Sequence, residues 1–277
     1  MDEATTEAPD LSALALVMVG AGNMGGAFLT AALSAGVRAE NALIVNSSPE
    51  SSQRAAAALG ARAGTLDDVA RADVLVLGIK PYQVDAVLPG VREHLDPSTL
   101  VISLAAGVSL ERLAALLPGH ERLTRAMPNT PMAIGEGVTA LMHAAQVPAA
   151  QRELARALLA TSGVVEEIRE DQVHAVIGAA GSAPAFVFYI LEAMIDEAVR
   201  QGLTRDLATR MVEQTVRGAA TLVLDSGEHP ALARAAVCSP GGTTAEGVAA
   251  LDRAGVRAGI AAAMDAAAAK SRAMTGA

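Results

Sequence analysis

The chain has 277 residues, enough for two domains of ordinary size. Its net charge of −9 excludes the broad basic face that nucleic acid or an anionic membrane would require. A single cysteine excludes an intrachain disulfide framework, and five scattered histidines offer no pair at metal-ligand spacing, so no metal is expected.

Asp2, Glu3, Glu7 and Asp10 precede any basic residue, and residues 1–12 read as a disordered acidic tail. That start is acidic where a signal peptide would be basic. No apolar run reaches about 18 residues without a charge or a turn, so a cytoplasmic protein with no membrane partner is expected.

Leu14–Val19 reads as the first strand and runs into Gly20-Ala21-Gly22-Asn23-Met24-Gly25, which opens a helix over Met24–Ser34. The glycines match G-x-G-x-x-G, and the strand–turn–helix context gives that weak motif its value. Gly20 permits a tight turn, Gly22 lets phosphate oxygens approach the backbone, and Gly25 lets helix and strand pack closely. The helix N-terminus adds unpaired amides and roughly half a positive charge. Gly20, Ala21, Gly22, Asn23 and Met24 are therefore candidate cofactor-binding residues. A glycine-rich turn with no ligand is the alternative.

The second strand, Ala42–Val45, ends at Asn46-Ser47-Ser48-Pro49 and leads into a helix over Pro49–Leu59. Sheets that bind NAD often carry an acidic residue at this end for the ribose 2′-hydroxyl. Glu40 precedes its strand and so belongs at the wrong end. The hydroxyls of Ser47 and Ser48 and the guanidinium of Arg54, with no carboxylate, suit a 2′-phosphate. NADPH is favoured and NADH left open. The plainer reading of Arg54 is a solvated helix charge.

Val74–Leu77 is followed by Gly78-Ile79-Lys80-Pro81 and a helix over Tyr82–His94. Leu100–Ser103 is followed by Leu104-Ala105-Ala106-Gly107, with nothing bulky to obstruct a flat ring, and by a helix over Ser109–Leu116. Leu123–Ala126 is followed by Met127-Pro128-Asn129-Thr130-Pro131, where two prolines fix an Asn able to bond a carboxamide or substrate. Each is an ordinary polar loop if taken singly. Gly137–Met142 and Val164–Ile168, with a helix over 148–160 between them, extend the sheet. Apolar strands alternating with helices predict a Rossmann-type parallel sheet covered on both faces, with ligands at the strands' carboxyl ends.

Beyond about residue 170 only helices are predicted: Asp171–Ile177, Ala183–Gln201, Arg205–Leu224, Pro230–Val237, Thr244–Arg253 and Ala258–Arg272. The fold class is thus α/β, with a dinucleotide-binding domain over 13–168 and an all-α substrate and dimerisation domain over 169–277. On Ala183–Gln201 the apolar arc through Phe186, Ile190, Met194 and Ile195 is wider than one core face needs. A second subunit is expected to cover it.

Cys238-Ser239-Pro240-Gly241-Gly242-Thr243-Thr244 precedes the helix through Val248 and Leu251. Two glycines expose consecutive amides there, a nest for a small carboxylate, while the threonines could instead serve as helix caps. His174 and His229 read as structural, and Cys238 as a small buried filler.

These segments, with Ala236-Val237, Gly247 and Leu251-Asp252, resemble the pyrroline-5-carboxylate reductases. So do Gly135-Glu136-Gly137-Val138-Thr139, Gly181-Ser182 with Pro184-Ala185, and Ser226-Gly227-Glu228-His229-Pro230. The resemblance runs from about Leu14 to Arg272 with the motifs in the family's order. It implies reduction of 1-pyrroline-5-carboxylate to L-proline with NAD(P)H, the last step of proline biosynthesis, in interlocked dimers that in many members form decamers. Carried over by residue, Ser239 and the Gly241, Gly242, Thr243 and Thr244 amides would hold the substrate carboxylate. The Thr244 hydroxyl would bond the ring nitrogen and carry the catalytic role. Glu170 would help line the pocket, and Thr65 would stand near the adenosine ribose.

The family's Ser-Gly-Ser-Gly-Pro-Ala stretch reads Ala180-Gly181-Ser182-Ala183-Pro184-Ala185 here, and Asn46-Ser47 replaces a common Asn-Arg. These departures bear on substrate fit and cofactor preference. A reductase of another cyclic imino acid and a non-catalytic nucleotide-binding relative are the competing readings. A β-hydroxyacid dehydrogenase would need a Lys that is absent around Gly181–Tyr189.

Overall fold

The computed structural model describes residues 9–275; most of the acidic segment read as a tail, residues 1–8, lies outside the described residues. Residues 9–12 do not continue it. Leu11 is buried in the core, and the Asn41 side chain donates to the Ser12 carbonyl, because an apolar side chain at position 11 reaches the underside of the sheet.

In chain order the first elements are β1 (Leu16–Val19), α1 (Asn23–Ser34), β2 (Ala42–Val45), α2 (Pro49–Leu59), β3 (Arg62–Ala63) and β4 (Val74–Leu77). Then follow α3 (Val84–Arg92), β5 (Leu100–Ser103), α4 (Leu110–Leu116), β6 (Leu123–Pro128), β7 (Gly137–His143), α5 (Ala149–Leu159) and β8 (Gly163–Glu167). The eight strands form one sheet in the order β3-β2-β1-β4-β5-β6-β7-β8. All neighbours pair in parallel except β6 and β7, so β7 and β8 run against the other six. That reversal departs from the wholly parallel sheet the sequence suggests. The short link Asn129–Glu136 returns the chain directly beside β6, and so short a return permits only an antiparallel partner.

Every residue of β1, β4 and β5 is buried, and alternate side chains face opposite layers. Leu16, Met18, Val74, Val76, Leu100 and Ile102 pack with Phe28 and Leu29 of α1. Val17, Val19, Leu75, Leu77 and Val101 pack with Leu88 of α3 and Leu113 of α4. The chain order reverses between β1 and β4, which is where a doubly wound sheet opens its crevice.

The remaining elements are α6 (Val173–Val176), which passes into a π-helical turn over Ile177–Gly181, then α7 (Ala183–Arg200), α8 (Arg205–Ser226), α9 (Pro230–Ala236), α10 (Thr243–Arg253) and α11 (Val256–Thr275). The chain divides into two compact units, one comprising 9–181 with 268–275, the other Ser182–Ala267. In the second unit only Ala208 and Val212 are buried apolar residues, whereas Phe188, Tyr189, Leu222 and Leu224 are more than half exposed. Helices with such apolar faces in water need a covering surface. The stretch Glu170–Arg200 is long and apolar enough to cross a membrane by length and composition. It is interrupted by the π turn and by Pro184.

Candidate active site

In the first unit, the carboxyl ends of β1, β2 and β4 enclose a cleft of about 590 Å³, within the ordinary range for a small-molecule site. Three glycines make its floor. Gly20 takes a φ of +90°, and a Cβ on Gly25 or on Gly78 would each lie 2.2 Å from the Gly20 carbonyl oxygen. The turn after β1, the first turn of α1 and the end of β4 therefore meet backbone to backbone. Gly22 differs from these. A Cβ there would have nothing within 4 Å, and it lies open at the mouth of α1.

The first backbone bond of α1 runs from Gly26 N–H to the Gly22 carbonyl. The N–H groups of Asn23, Met24 and Gly25 thus have no acceptor among the described residues, and no side chain caps the helix. Ala21 is different, because Oδ1 of Asn46 accepts its N–H at 2.9 Å. The Asn46 side chain also donates to the Ser51 carbonyl at 3.2 Å, and its backbone N–H donates to Ser52 Oγ at 2.9 Å, which pins the turn after β1 to the loop after β2. The sequence marks Asn46 only as a strand end; its bonding role needs the β1–β2 pairing to become visible.

Of the candidate cofactor residues, Gly20, Ala21, Gly22, Ser47, Gly78, Ile79 and Lys80 line this cleft, as do Asn46, Ser51 and Gln83. No carboxylate lines it, and Lys80 is its one cation, with no ion pair among the described residues. Glu40 sits ahead of β2, beside Arg38 at 3.8 Å. Ser48 and Thr65 are held in local roles. Ser48 caps α2 by accepting the Ser51 N–H, and Thr65 shares a capping box with Asp68. Arg54 is exposed on α2 outside the cleft lining, and Pro81 opens the short helical turn before α3. The open space over Gly22, the free amides at α1 and the lone cation fit a dinucleotide diphosphate with a further phosphate. If Lys80 supplies that charge, Lys80→Ala is expected to raise the KM for NADPH about tenfold while moving that for NADH far less, because only one cofactor carries the extra phosphate.

Ala105, Ala106 and Gly107 follow β5; Ala105 is buried, and Gly107 turns with φ +79° beside Met274 of α11. Asn129 is drawn inward, 7% exposed. Its Oδ1 accepts the Val138 N–H at 2.8 Å and its Nδ2 donates to the Ala180 carbonyl at 3.1 Å, which ties the π turn to β7. Glu170 accepts both the Leu110 N–H and Arg125 Nη1 through Oε1, each at 2.9 Å. Arg125, outside the set of candidates its sequence suggests, is 2% exposed. A charged residue inside an otherwise apolar strand was the available signal, since a buried guanidinium demands a partner. His174 Nδ1 shares a hydrogen bond with Ser271 Oγ; burial, with Arg272 and Arg125 nearby, pushes its pKa down. His229 Nδ1 accepts the Ala231 N–H and caps α9.

In the second unit, Ser239–Gly242 forms a turn in which the Gly242 N–H bonds the Ser239 carbonyl at 3.0 Å and Gly241 takes a φ of +69°. Gly242 is the N-cap of α10. Neither Thr243 nor Thr244 caps the helix, since both are already inside its first turn. The Glu246 N–H makes the first backbone bond, to Gly242, so the amides of Thr243, Thr244 and Ala245 and both threonine hydroxyls have no partner among the described residues. Such a turn can hold a carboxylate through its N–H groups and offer a hydroxyl to a neighbouring atom.

The pyrroline-5-carboxylate reductase dimerisation model matches residues 170–274, and a model described as NADP oxidoreductase, coenzyme F420-dependent, matches residues 15–107. The pyrroline-5-carboxylate reductase of Escherichia coli K12 is 38% identical over 250 residues, covering 89% of this chain and 93% of that one. Its counterpart in a Synechocystis strain is 42% identical over 188 residues, covering 68% and 70%. Among solved structures, a pyrroline-5-carboxylate reductase from Coxiella burnetii superposes with a TM-score of 0.88 at 30% identity, over 95% of this chain and 99% of that one. A Plasmodium falciparum pyrroline carboxylate reductase with NADP bound gives 0.84 at 26% identity, over 96% and 99%. Likeness of sequence and of fold over nearly the whole length places the chain in one group: it belongs to the pyrroline-5-carboxylate reductase family.

Proposed function

We propose that the chain reduces 1-pyrroline-5-carboxylate to L-proline with NADPH, the cleft at β1, β2 and β4 taking the cofactor and the Ser239–Thr244 turn taking the substrate carboxylate. The observation that carries this is the pair of helix N-termini with unpartnered amides, at α1 and α10, each opened by glycine. NADPH supplies the hydride when bound. The residues of the chain bind and orient. The amides of Thr243, Thr244 and Ala245 grip the carboxylate and so fix the ring, and the Thr244 hydroxyl donates a hydrogen bond at the ring nitrogen. A cyclic imine is basic enough to be partly protonated near neutrality, so the reaction asks for positioning more than for a strong acid. A threonine hydroxyl is too weak an acid to act alone, and solvent supplies the proton through it.

The enzyme self-associates through its helical region, the part matched by the dimerisation model. We read the exposed face of α7 and α8 as a subunit interface rather than a membrane span, and a ring of five dimers as the higher assembly. A cytoplasmic location accompanies that reading. The deciding assay follows NADPH oxidation with 1-pyrroline-5-carboxylate, a six-membered piperideine carboxylate and a keto-acid control. Turnover should be at least about tenfold faster on the five-membered imine, since one methylene in a fitted pocket is worth roughly 1–3 kcal/mol. Equal rates on both rings would move the assignment to a broader imine reductase, and no oxidation at all would leave a nucleotide-binding protein.

A further inference from the structure

Arg125 is a full charge set inside a buried sheet. On β6 it lies opposite Ser103 of β5 and Met142 of β7 and is 2% exposed. Nη1 donates to Glu170 Oε1, and the same oxygen accepts the Leu110 N–H, each at 2.9 Å. Nη2 is buried without a partner among the described residues. A half-satisfied buried guanidinium is a poor source of stability, because an apolar side chain of the same size would avoid the desolvation cost. Its third member indicates what it does. Leu110 opens α4 directly after the connection that contains Ala105, Ala106 and Gly107. The Glu170 carboxylate is thus a strut between the floor of the sheet and the loop at the end of β5.

We propose that Arg125 is a positioning residue for hydride transfer: it holds Glu170 in place, and Glu170 fixes the loop after β5 against which the nicotinamide ring lies. The proposal rests on the cofactor reading given above. The charged or titratable groups facing Glu170 are Arg125 from β6 and His174 from α6, with Arg272 of α11 beside His174. Removing Arg125 therefore leaves the carboxylate with only a weakly basic imidazole as neighbour.

The test uses the full-length enzyme and measures kcat and both KM values for Arg125→Met, Arg125→Lys, Glu170→Gln and the Arg125→Met/Glu170→Gln double variant. Arg125→Met is expected to lower kcat about tenfold or more and to raise the KM for NADPH, with the KM for the imine within about twofold. Glu170→Gln, which keeps the side chain's length but weakens its hold on the guanidinium, should show a loss of the same kind. Arg125→Lys should restore part of the rate, and the double variant should be no worse than the poorer single one. Losses that multiply in the double variant would overturn the proposal, as would unchanged kinetics in the presence of a lowered melting temperature. Should Arg125→Met fail to fold, Arg125→Lys and Glu170→Gln carry the same comparison. Ala106→Leu separates the two layers of inference. If it is impaired while Arg125→Met is not, Arg125 loses its role; if Ala106→Leu is silent, the loop does not face the cofactor and both readings fall.

Discussion

Alanine at Gly25 is expected to cost the fold, and alanine at Gly22 to cost the cofactor. At Gly25 the new methyl would sit 2.2 Å from the Gly20 carbonyl oxygen, inside van der Waals contact, with Met18 Sδ at 3.3 Å behind it. The atom in the way is backbone, so relief requires moving the turn off the end of β1. Overpacking of this kind costs on the order of 3 kcal/mol, and Gly78→Ala should behave alike because its methyl would strike the same oxygen. At Gly22 the backbone has φ −76° and ψ −165°, which any residue adopts, and the space is open. Losing a glycine N-cap there costs at most about 1 kcal/mol. The methyl would stand over the free amides, where a diphosphate must approach, and the KM for NADPH should rise tenfold or more, about 1.4 kcal/mol. Urea unfolding and cofactor titration of the three variants check both halves. A Gly22→Ala enzyme with wild-type affinity would sink the placement of the diphosphate.

Thr244→Ala should abolish most of the turnover without harming the fold. The hydroxyl does not cap α10, because Gly242 occupies that position, and it makes no hydrogen bond among the described residues. Alanine is also the better helix former by a few tenths of a kcal/mol, so the unfolding midpoint should hold or rise. Loss of a hydrogen bond made at the reacting nitrogen is worth on the order of 1–3 kcal/mol, a fall of roughly five- to hundredfold in kcat/KM. Thr243→Ala, which removes a hydroxyl one position away, is the control and should lose less. Equal and small effects at both positions would mean that the turn binds through its amides alone.

Much of the first unit is legible in the sequence because its signals are local. The buried runs Val74–Leu77 and Leu100–Ser103 announce strands, and the glycine turn announces where they end. What was not legible depends on neighbours brought in from far along the chain. β3 is only Arg62-Ala63, exposed and with a single alanine as its apolar content, so nothing local marks it. The reversal at β7 follows from the pairing of Arg125 with Met142, which no periodicity encodes. Asn129 stands between prolines, and its bonds to Val138 and Ala180, partners 9 and 51 residues away, are ones no local pattern encodes. Ser48 and Thr65 carry the right chemistry for a ribose phosphate, and each also caps a helix. Short polar side chains serve either end equally well, so the residue type alone does not reveal the capping bonds.

The last eight described residues belong with the first unit, where Ser271 bonds His174 and Ala268 is buried. A fragment stopped at residue 181 would therefore be an unfinished nucleotide-binding half, missing a piece that the chain supplies only after the helical unit. That half can close only after the whole of the helical unit between its two parts has been synthesised.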